Sequence, residues 1–340
     1  MNRYENRMKF FEEVEGVKPN IYYHYTSLDA LYSIISNKTL WLTSLKSSND
    51  KKELYYTVDD FLRDFETVCK NEENSKLKIC FETLKNNIDA HKEKFIKECM
   101  AKSKPYALCL SDKRDNLTHW DRYASSSTGV CIGINVAAMN ILCRRTGNDF
   151  FGSALFDIGK ALYTTEDVLR YIRHKTLHNM NVLVDVLEKE PKKDLIEFIS
   201  RHGYIYVIGV CQSVMRYAKN TSFIDEGEVR FYFDEKSIAE TTKMIDNMGN
   251  QGHADLAATL KSNFEGLVDS LKLKPEEFFL SRSGIRGYHK LCLDYIWGPG
   301  VIPEIILGPM CVQNRNELLR FLSENGLSGT KVCVSKVPLR

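Results

Sequence analysis

Two glutamates, Glu226 and Glu228, flank Gly227 in the run EGEVRFYF. Residues two apart in a strand project to one face, so a strand here would bring both carboxylates together. Such carboxylates repel each other unless water, a cation or a ligand compensates them, and Arg230 on the same face is one candidate cation. The spacing therefore indicates either a carboxylate pair that serves a ligand or an edge-strand ladder of solvated charges.

A histidine lies at the end of a short aromatic strand. The run IYYHYT favours a strand, and Thr26 or Ser27 is suited to cap the helix that Asp29 and the apolar spacing after it predict. His24 thus lies at a strand-to-helix junction, where its ring either contacts a ligand or bonds a backbone carbonyl, the commoner role of an isolated histidine. Asn37 is expected to end this helix in the left-handed conformation.

Aromatic and cationic side chains occur together in the run DNLTHWDRYASSSTG. Trp120, Arg122 and Tyr123 share a short predicted helix or its end, just before a loop of small residues. A Trp and a Tyr can stack on a planar ring, and an Arg can pair with a phosphate. Alternatively, Trp120 belongs to the core and Arg122 pairs with Asp121 or Asp115.

The overall composition sets limits but selects no partner. The 340 residues are 43% hydrophobic and 27% charged with a formal net charge of +2, which indicates a globular chain of one large or two modest domains. A nucleic-acid role would need a local basic face, which the total charge does not reveal. The N-terminus has no signal-peptide pattern, and the most apolar segment, 204–215, is too short to cross a bilayer. These features favour a cytoplasmic chain without membrane association.

Cysteine and histidine spacing gives little support to a metal site. The ten cysteines form no CxxC pair and no cysteine–histidine cluster. His174 and His178 stand four apart on a predicted helix but lack an obvious third ligand, so no metal is predicted. Seven cysteines have apolar neighbours and are predicted to be reduced core thiols. These are Cys80, Cys99, Cys109, Cys131, Cys211, Cys292 and Cys311.

Interspersed helical and strand patterns predict an α+β fold. Strand-like runs include YALCLS, TGVCIGIN, EIILGP and KVCVSKV, whereas the apolar segment 204–215 fits either a strand or a helix. Residues 1–20 are predicted to be a polar lead-in, and residues 21–340 a single domain. Helical insertions, the last of them exposed, are predicted at about 50–103, 136–200 and 236–273.

Five ordered runs resemble a prokaryotic domain family of unassigned function: HYTSLDALYSIISNKTLWLTSLKSSND, CLSDKRDNLTHWDRYASSSTGVCIGI, EGEVRFYF, EIILGP and SKVPLR. The resemblance covers residues 22–340. The opening unit is also similar to that of the ADP-ribosyltransferase superfamily, including DarT-like toxins that modify DNA. This similarity implies an ADP-ribosyltransferase-like split mixed β-sheet core with long helical insertions, and NAD as a substrate.

The similarity also implies roles for individual residues. His24, followed by Tyr25 and Thr26, falls on the NAD-binding position. Glu228 falls on the catalytic glutamate, whose negative charge would stabilise the oxocarbenium-like ribose as nicotinamide leaves. Glu226 falls on the position that orients or deprotonates the acceptor nucleophile.

The remaining candidates lie in the second motif and in polar loops. Trp120 and Tyr123 are candidates for a wall against the nicotinamide ring, and Arg122 for a phosphate contact. The Tyr or Ser-Thr-Ser element typical of the superfamily is not identified in this chain. Basic residues that would suit a nucleic-acid backbone are Lys46, Lys51, Lys52 and Arg122.

The resulting hypothesis is an NAD-dependent ADP-ribosyltransferase that acts on RNA or DNA as a toxin or anti-phage effector. An enzyme of this kind must be restrained, so an antitoxin or another regulatory protein is an expected partner. Two alternatives are a hydrolase that cleaves NAD or a nucleoside with water, and a nucleotide-binding sensor without turnover. The hydrolase would release free ADP-ribose, whereas no rate in the sensor would depend on Glu226 or Glu228.

Overall fold

The computed structural model describes residues 20–45, 56–100, 105–142, 156–188, 195–250, 254–273, 275–281 and 284–338. The strands in these ranges are β1 (Ile21–Thr26), β2 (Thr39–Ser44), β3 (Pro105–Ser111), β4 (Val130–Asn135), β5 (Phe156–Lys160), β6 (Glu228–Asp234), β7 (Glu277–Ser281), β8 (Gly284–Cys292), β9 (Glu304–Leu307) and β10 (Lys331–Val334). The α-helices are α1 (Leu28–Asn37), α2 (Val58–Asn71), α3 (Ser75–Ala90), α4 (Lys92–Cys99), α5 (Leu117–Tyr123), α6 (Val136–Leu142), α7 (Thr165–Glu188), α8 (Leu195–Tyr217), α9 (Glu235–Asn250), α10 (Ala254–Ser270) and α11 (Arg315–Glu324).

The strands form one open, mixed sheet. Its order is β10-β9-β4-β1-β3-β2-β8-β7, with β6 paired to β3 and β5 paired to β6. Strands β9 and β10 are parallel, and the other described pairs are antiparallel. Helices are spread between the strands, so the predicted α+β class is confirmed.

The opening strand–helix–strand unit follows its local sequence. Ser27 caps α1 by accepting a hydrogen bond from the backbone of the first helical turn. Lys38, and not Asn37 as predicted, adopts the left-handed conformation (φ 50°) that ends the helix, and its N–H bonds the Ile34 carbonyl. Asn37 is instead the last helical residue.

Strand β3 shares one of its edges between two neighbours. Its other edge pairs along its whole length with β6. On the shared edge, β1 pairs with Ser111, whereas β2 pairs with Ala107 and Tyr106. Beyond these residues the two strands diverge, β1 towards β4 and β2 towards β8. Cys109 lies between these pairings, so the sheet splits beside it. We call this opening between β1 and β2, next to Cys109, the notch.

The two faces of the sheet differ in chemistry around β3 and β6. One face packs into a large apolar core that α1, α9, α10 and α11 cover. Along β6, Val229, Phe231 and Phe233 join this core, whereas Glu228 and Arg230 project to the other face. All residues of β6 are buried, so the charged pair has little contact with solvent.

A second apolar core lies within the helical insertions. Helices α2, α3 and α4 pack there against α7 and α8, with Phe61, Phe65, Phe81 and Phe95 among its buried side chains. The apolar segment 204–215, which periodicity left as strand or helix, lies within α8. The insertions near 50–103 and 164–217 thus bury each other's apolar faces.

Two features of the predicted insertions differ from the structure. The 136–200 region contains β5, which pairs with β6, and its Phe156 and Ile158 face the large core. A strand of five residues offers too short an alternation for sequence analysis to separate it from its helical surroundings. The region 236–273, predicted to be exposed, has many exposed residues but buries one face of each helix, because Ile245 of α9 and Phe264 of α10 lie in the same core.

No helix in the described ranges has both the length and the apolar character needed to span a bilayer. Residues 1–19, nearly all of the predicted lead-in, lie outside the described residues.

Candidate functional site

The two glutamates of the EGE run come from different elements. Glu226 ends the 3-10 helix Thr221–Glu226, Gly227 is left-handed at φ 51°, and Glu228 begins β6. The prediction that both glutamates lie on one strand face was therefore wrong, because the backbone turns at Gly227. Their carboxylates nevertheless meet at one cation.

Lys219 bridges the two carboxylates. Its Nζ donates to Glu226 Oε2 at 2.6 Å and to Glu228 Oε2 at 2.5 Å. Arg230 donates from Nε to Glu228 Oε1 at 3.0 Å, so the prediction that Arg230 acts as a counter-ion is confirmed. All four side chains belong to residues that are at most 7% exposed, which rules out a ladder of solvated charges.

Burial and the two cations act on the Glu228 carboxyl in opposite directions. Burial raises its pKa, but Arg230 and Lys219 outweigh this and lower the pKa to about 2. Burial likewise lowers the pKa of Lys219, yet the two neighbouring glutamates raise it above its ordinary value. Glu228 is therefore a carboxylate at neutral pH, although it is buried.

We expect Glu228 to make the stability of the protein depend on pH in acid. A carboxyl with a lowered folded-state pKa stabilises the fold above its unfolded pKa, and this contribution is lost as the pH falls through the folded value. The window runs from 4.5 down to about 2. Across it, the unfolding free energy should lose about 3 kcal/mol from this group.

Denaturant unfolding of the wild type and of Glu228→Gln, from neutral pH into acid, measures this contribution. The difference in unfolding free energy between the two proteins should shrink as the pH falls below 4.5. Glu277→Gln is the comparison: Lys290 and Tyr288 also lower the pKa of Glu277, but this half-exposed pair is screened by solvent, so its difference should shrink less. A difference that stays constant in acid would contradict the assigned ionisation.

Glu226 connects this cluster to helix α5. The Tyr123 hydroxyl donates to Glu226 Oε1 at 2.6 Å, and Arg122 Nη1 lies 3.8 Å from the same oxygen. The Glu226 carbonyl accepts from the Ser111 hydroxyl at 2.6 Å and from the His119 ring at 3.1 Å. Arg122 thus pairs with Glu226, a partner that neither sequence interpretation included. Tyr123, which is 45% exposed, and Arg122 form the outer rim of the site.

Trp120 and Tyr25 are part of a small buried cluster. Trp120 is fully buried, its indole N–H donates to Asp115 at 2.8 Å, and its ring meets that of Tyr25 edge-on at 4.9 Å. Tyr25 is also buried, and its hydroxyl donates to the Lys113 carbonyl at 2.8 Å. Thr26 is half-buried at the end of β1. The core interpretation of Trp120 is confirmed, and a ring without exposed surface does not fit the predicted wall against nicotinamide.

Cys109 is exposed in the otherwise buried strand β3. The prediction that it is a core thiol was wrong, because β1 and β2 separate beside it and leave its side chain uncovered. Its side chain also helps to lower the pKa of the Glu228 carboxyl, after the larger effects of burial, Arg230 and Lys219. The buried carboxylate therefore lies directly beside the exposed floor of the notch.

His24 contacts the other side of Cys109. Its Nδ1 lies 3.2 Å from the Cys109 carbonyl oxygen, which can only accept, so Nδ1 carries the proton. Burial lowers the pKa of the ring, although this hydrogen bond opposes the shift. His24 is therefore neutral at neutral pH, and its Nε2 is a hydrogen-bond acceptor. The backbone contact expected of an isolated histidine is confirmed, and it leaves the second ring nitrogen for other contacts.

His24 and Glu228 project to opposite faces of the sheet. Because side chains alternate along a strand, His24 shares the face of its β4 partner Ile132, which lies in the large core. Glu228 shares the other face with Ser111 and Cys109. Cys109 therefore connects the two predicted site residues: the His24 ring bonds its carbonyl, and its side chain contributes to the lowered pKa of Glu228.

Sequence analysis missed three residues of the site: Lys219, Tyr163 and His119. Lys219 had a usable signal, because buried paired carboxylates require a cation and this is the nearest lysine before them. Tyr163 accepts a hydrogen bond from the Glu228 backbone N–H at 2.9 Å through its hydroxyl. The fold brings Tyr163 and His119 to the glutamates from distant parts of the chain, so no local spacing indicates them.

Two groups of sequence candidates remain, the basic loop residues and a histidine pair. Lys46, Lys51 and Lys52 fall outside the described residues. His174 and His178 lie on α7. Within the part of the chain that the structure describes, no group of three His, Cys, Asp or Glu side chains is arranged to hold a metal ion.

Comparisons with protein-family models, with curated proteins and with solved structures found no match to this chain. Its function is therefore inferred from the residues and distances of the site itself.

Proposed function

We propose that the chain is an NAD-dependent ADP-ribosyltransferase that cleaves NAD in the notch. One observation carries the proposal: the buried Glu228 carboxylate is held ionised by two cations directly beside exposed Cys109. The split of the sheet between β1 and β2 is a second support, since the similarity to ADP-ribosyltransferases implies a split core.

The reaction requires a negative charge close to the ribose. The bond between ribose C1′ and the nicotinamide nitrogen breaks, nicotinamide leaves neutral with the bonding electrons, and positive charge develops on the ribose. A preorganised carboxylate stabilises that charge in a site that excludes water. Glu228 meets this requirement because its pKa of about 2 keeps it ionised at any physiological pH.

His24 suits a hydroxyl of NAD better than a phosphate. Its ring is neutral and its Nδ1 is committed to the Cys109 carbonyl, so Nε2 accepts a hydrogen bond. A ribose hydroxyl supplies such a proton, whereas a phosphate would need a donor or a cation. Because His24 projects to the face opposite Glu228, this contact would hold a part of NAD other than the ribose that lies beside Glu228.

The outer rim suits the leaving group and the acceptor. Tyr123 is exposed, and its ring can cover a nicotinamide while its hydroxyl bonds Glu226. The proposed acceptor is a nucleic acid, RNA or DNA, because three cations of this part of the site, although paired with Asp112 or Glu226, are exposed enough to contact a phosphate backbone. They are Lys113, Lys160 and Arg122, with side chains 46%, 42% and 52% exposed.

The test incubates the protein with NAD labelled in its adenylate, separately with DNA, RNA and a protein extract. Label that moves to a nucleic acid, and fails to move with Glu228→Gln, supports the proposal. Label recovered on protein alone overturns the acceptor class, and free ADP-ribose alone identifies an NAD hydrolase. No consumption of NAD with any acceptor contradicts the proposed function.

We further expect alkylation of Cys109 to block NAD cleavage. Among the described cysteines it is the exposed one, and an added group would lie beside the Glu228 carboxylate. Iodoacetamide should lower wild-type turnover by at least about tenfold, because displacing a bound ligand from its reacting geometry is costly. Mass spectrometry locates the modified residue. Cys109→Ser should keep its activity after the same treatment, and a variant that is inactivated like the wild type would contradict the assignment.

A further inference from the structure

Lys219 is the residue that both glutamates share, and sequence analysis assigned it no role. We propose that Lys219 is a positioning residue, whose single ammonium sets the separation of the Glu226 and Glu228 carboxylates and aims Glu228 at the reacting ribose. This inference rests on the proposed function. It is supported by contacts on both sides of Lys219 and by the pattern of donors around the two carboxylates.

The backbone around Lys219 is fixed by the segment after β5. The Leu162 N–H donates to the Tyr217 carbonyl at 2.8 Å, and the Lys219 N–H donates to the Leu162 carbonyl at 2.9 Å. Just beyond, the Thr221 hydroxyl donates to the Tyr163 carbonyl at 2.7 Å. Lys219 is thus held from both sides, so its ammonium reaches the glutamates from a defined point.

The same segment holds the backbone of Glu228. The Tyr163 hydroxyl accepts from the Glu228 N–H at 2.9 Å, next to the residue that anchors Lys219. The ammonium and the carboxylate therefore share one support. Each residue is bonded separately to the 162–163 segment, so Glu228 would not follow a shift of Lys219. The distance between the ammonium and the carboxylate would therefore change.

Arg230 does not duplicate this function. Its Nε and Nη2 donate to the two Glu228 oxygens at 3.0 Å and 3.3 Å, while its Nη1 donates to the Arg216 carbonyl at 2.6 Å. Lys219 alone among the described cations is within hydrogen-bond distance of both carboxylates. The other titratable or charged groups that face the two glutamates are Arg230, Arg122, Tyr123, Tyr163, His119 and Cys109.

Two substitutions separate the charge of Lys219 from its position. Lys219→Met removes the charge and keeps the apolar stem. Lys219→Arg keeps the charge. However, the planar guanidinium of arginine donates from separate nitrogens, so it cannot bind both carboxylates at one atom. Lys261→Met, which removes an exposed ion pair with Asp246 at 2.8 Å, is the matched control.

The first readout is the pH dependence of NAD cleavage. Lys219→Arg should retain the acid limb of the wild-type pH profile, because residue 219 keeps its positive charge. Its turnover should fall about tenfold, because the Glu228 carboxylate is no longer aligned with the ribose. Lys219→Met should lose more, and its acid limb should move up by about one pH unit or more, because Glu228 loses one of its two cations. Wild-type turnover in Lys219→Arg, or an unchanged acid limb in Lys219→Met, would overturn the proposal.

The second readout needs no activity. In Lys219→Met the buried Glu226 and Glu228 carboxyls lose the ammonium between them, while Arg230 still donates to Glu228, so one of the two carboxyls takes up a proton more readily than in the unfolded chain. A carboxyl with a raised folded-state pKa stabilises less as the pH rises through that value, so this variant should be easier to unfold at pH ~8 than at pH ~5. Equal unfolding free energies of Lys219→Met at the two pH values contradict the proposal, whether or not the protein cleaves NAD. Absence of NAD cleavage in the wild type contradicts only the proposed function.

Discussion

Glu228→Gln is expected to lower the rate of the proposed NAD cleavage by about 10²–10³-fold, the usual cost of removing a preorganised electrostatic contact from a reacting centre. The amide keeps the size of the side chain but has no charge to offer the developing ribose cation. The NH2 group of the amide is itself a donor, and it would face Lys219 and Arg230, which both donate to the Glu228 carboxylate. The loss should therefore fall mainly on turnover.

The substitution also removes a buried carboxylate that both Lys219 and Arg230 contact, so that Glu226 is the remaining carboxylate of the cluster. Breaking a buried ion pair costs about 3–5 kcal/mol, so the rate must be measured at a temperature where thermal unfolding shows the variant to be folded. Glu277→Gln is the matched control, because Glu277 accepts from Lys290 and Tyr288, both at 2.7 Å, away from the notch. Folded Glu228→Gln that cleaves NAD at the wild-type rate would remove Glu228 from the reaction.

Local sequence was sufficient for the elements whose signals lie within a few residues. The cap at Ser27 and the alternation along β6 placed α1, Glu228 and Arg230 correctly. Such signals are reliable because the partner atoms are neighbours in sequence. The left-handed residue at the end of α1 was missed by one position, at Lys38, since the helix keeps Asn37 as its last residue.

The site depends on contacts that no local pattern encodes. Cys109 sits in an apolar run that predicts burial, and it is exposed only because β1 and β2 diverge on either side of it. Tyr163 and His119 reach the glutamates through the fold. Trp120 is the opposite case from Cys109: the sequence suggested a ligand contact for this aromatic side chain, but it is buried in a small core.

Gly227→Ala is expected to be strongly destabilising although it adds one methyl group. Gly227 is left-handed at φ 51°, where a residue with a Cβ costs about 1–2 kcal/mol. The added Cβ would also clash with Asp112 Oδ1, far inside contact distance. Overpacking of this kind adds about 1–3 kcal/mol, so the unfolding free energy should fall by about 2–5 kcal/mol.

Asp112 cannot move aside freely. Its Oδ2 accepts from Lys160 Nζ at 3.0 Å, and its backbone N–H donates to the Gly227 carbonyl at 2.9 Å. The clash would therefore be relieved by a shift of the backbone at Gly227, which separates Glu226 from Glu228. NAD cleavage should fall with stability, because both carboxylates would leave the position that Lys219 defines.

A double-mutant cycle distinguishes the clash from the backbone strain. Asp112→Ala in the Gly227→Ala background removes the carboxylate that the new Cβ would meet, so it should recover the steric part of the loss and leave about 1–2 kcal/mol for the left-handed conformation. Gly266→Ala in α10 is the control, because its Cβ would meet no atom within 4 Å and alanine favours a helix. Equal unfolding free energies for Gly227→Ala and the double variant would show that contact with Asp112 does not constrain this turn. Recovery of stability without recovery of NAD cleavage would assign the remaining defect to the altered separation of the two glutamates.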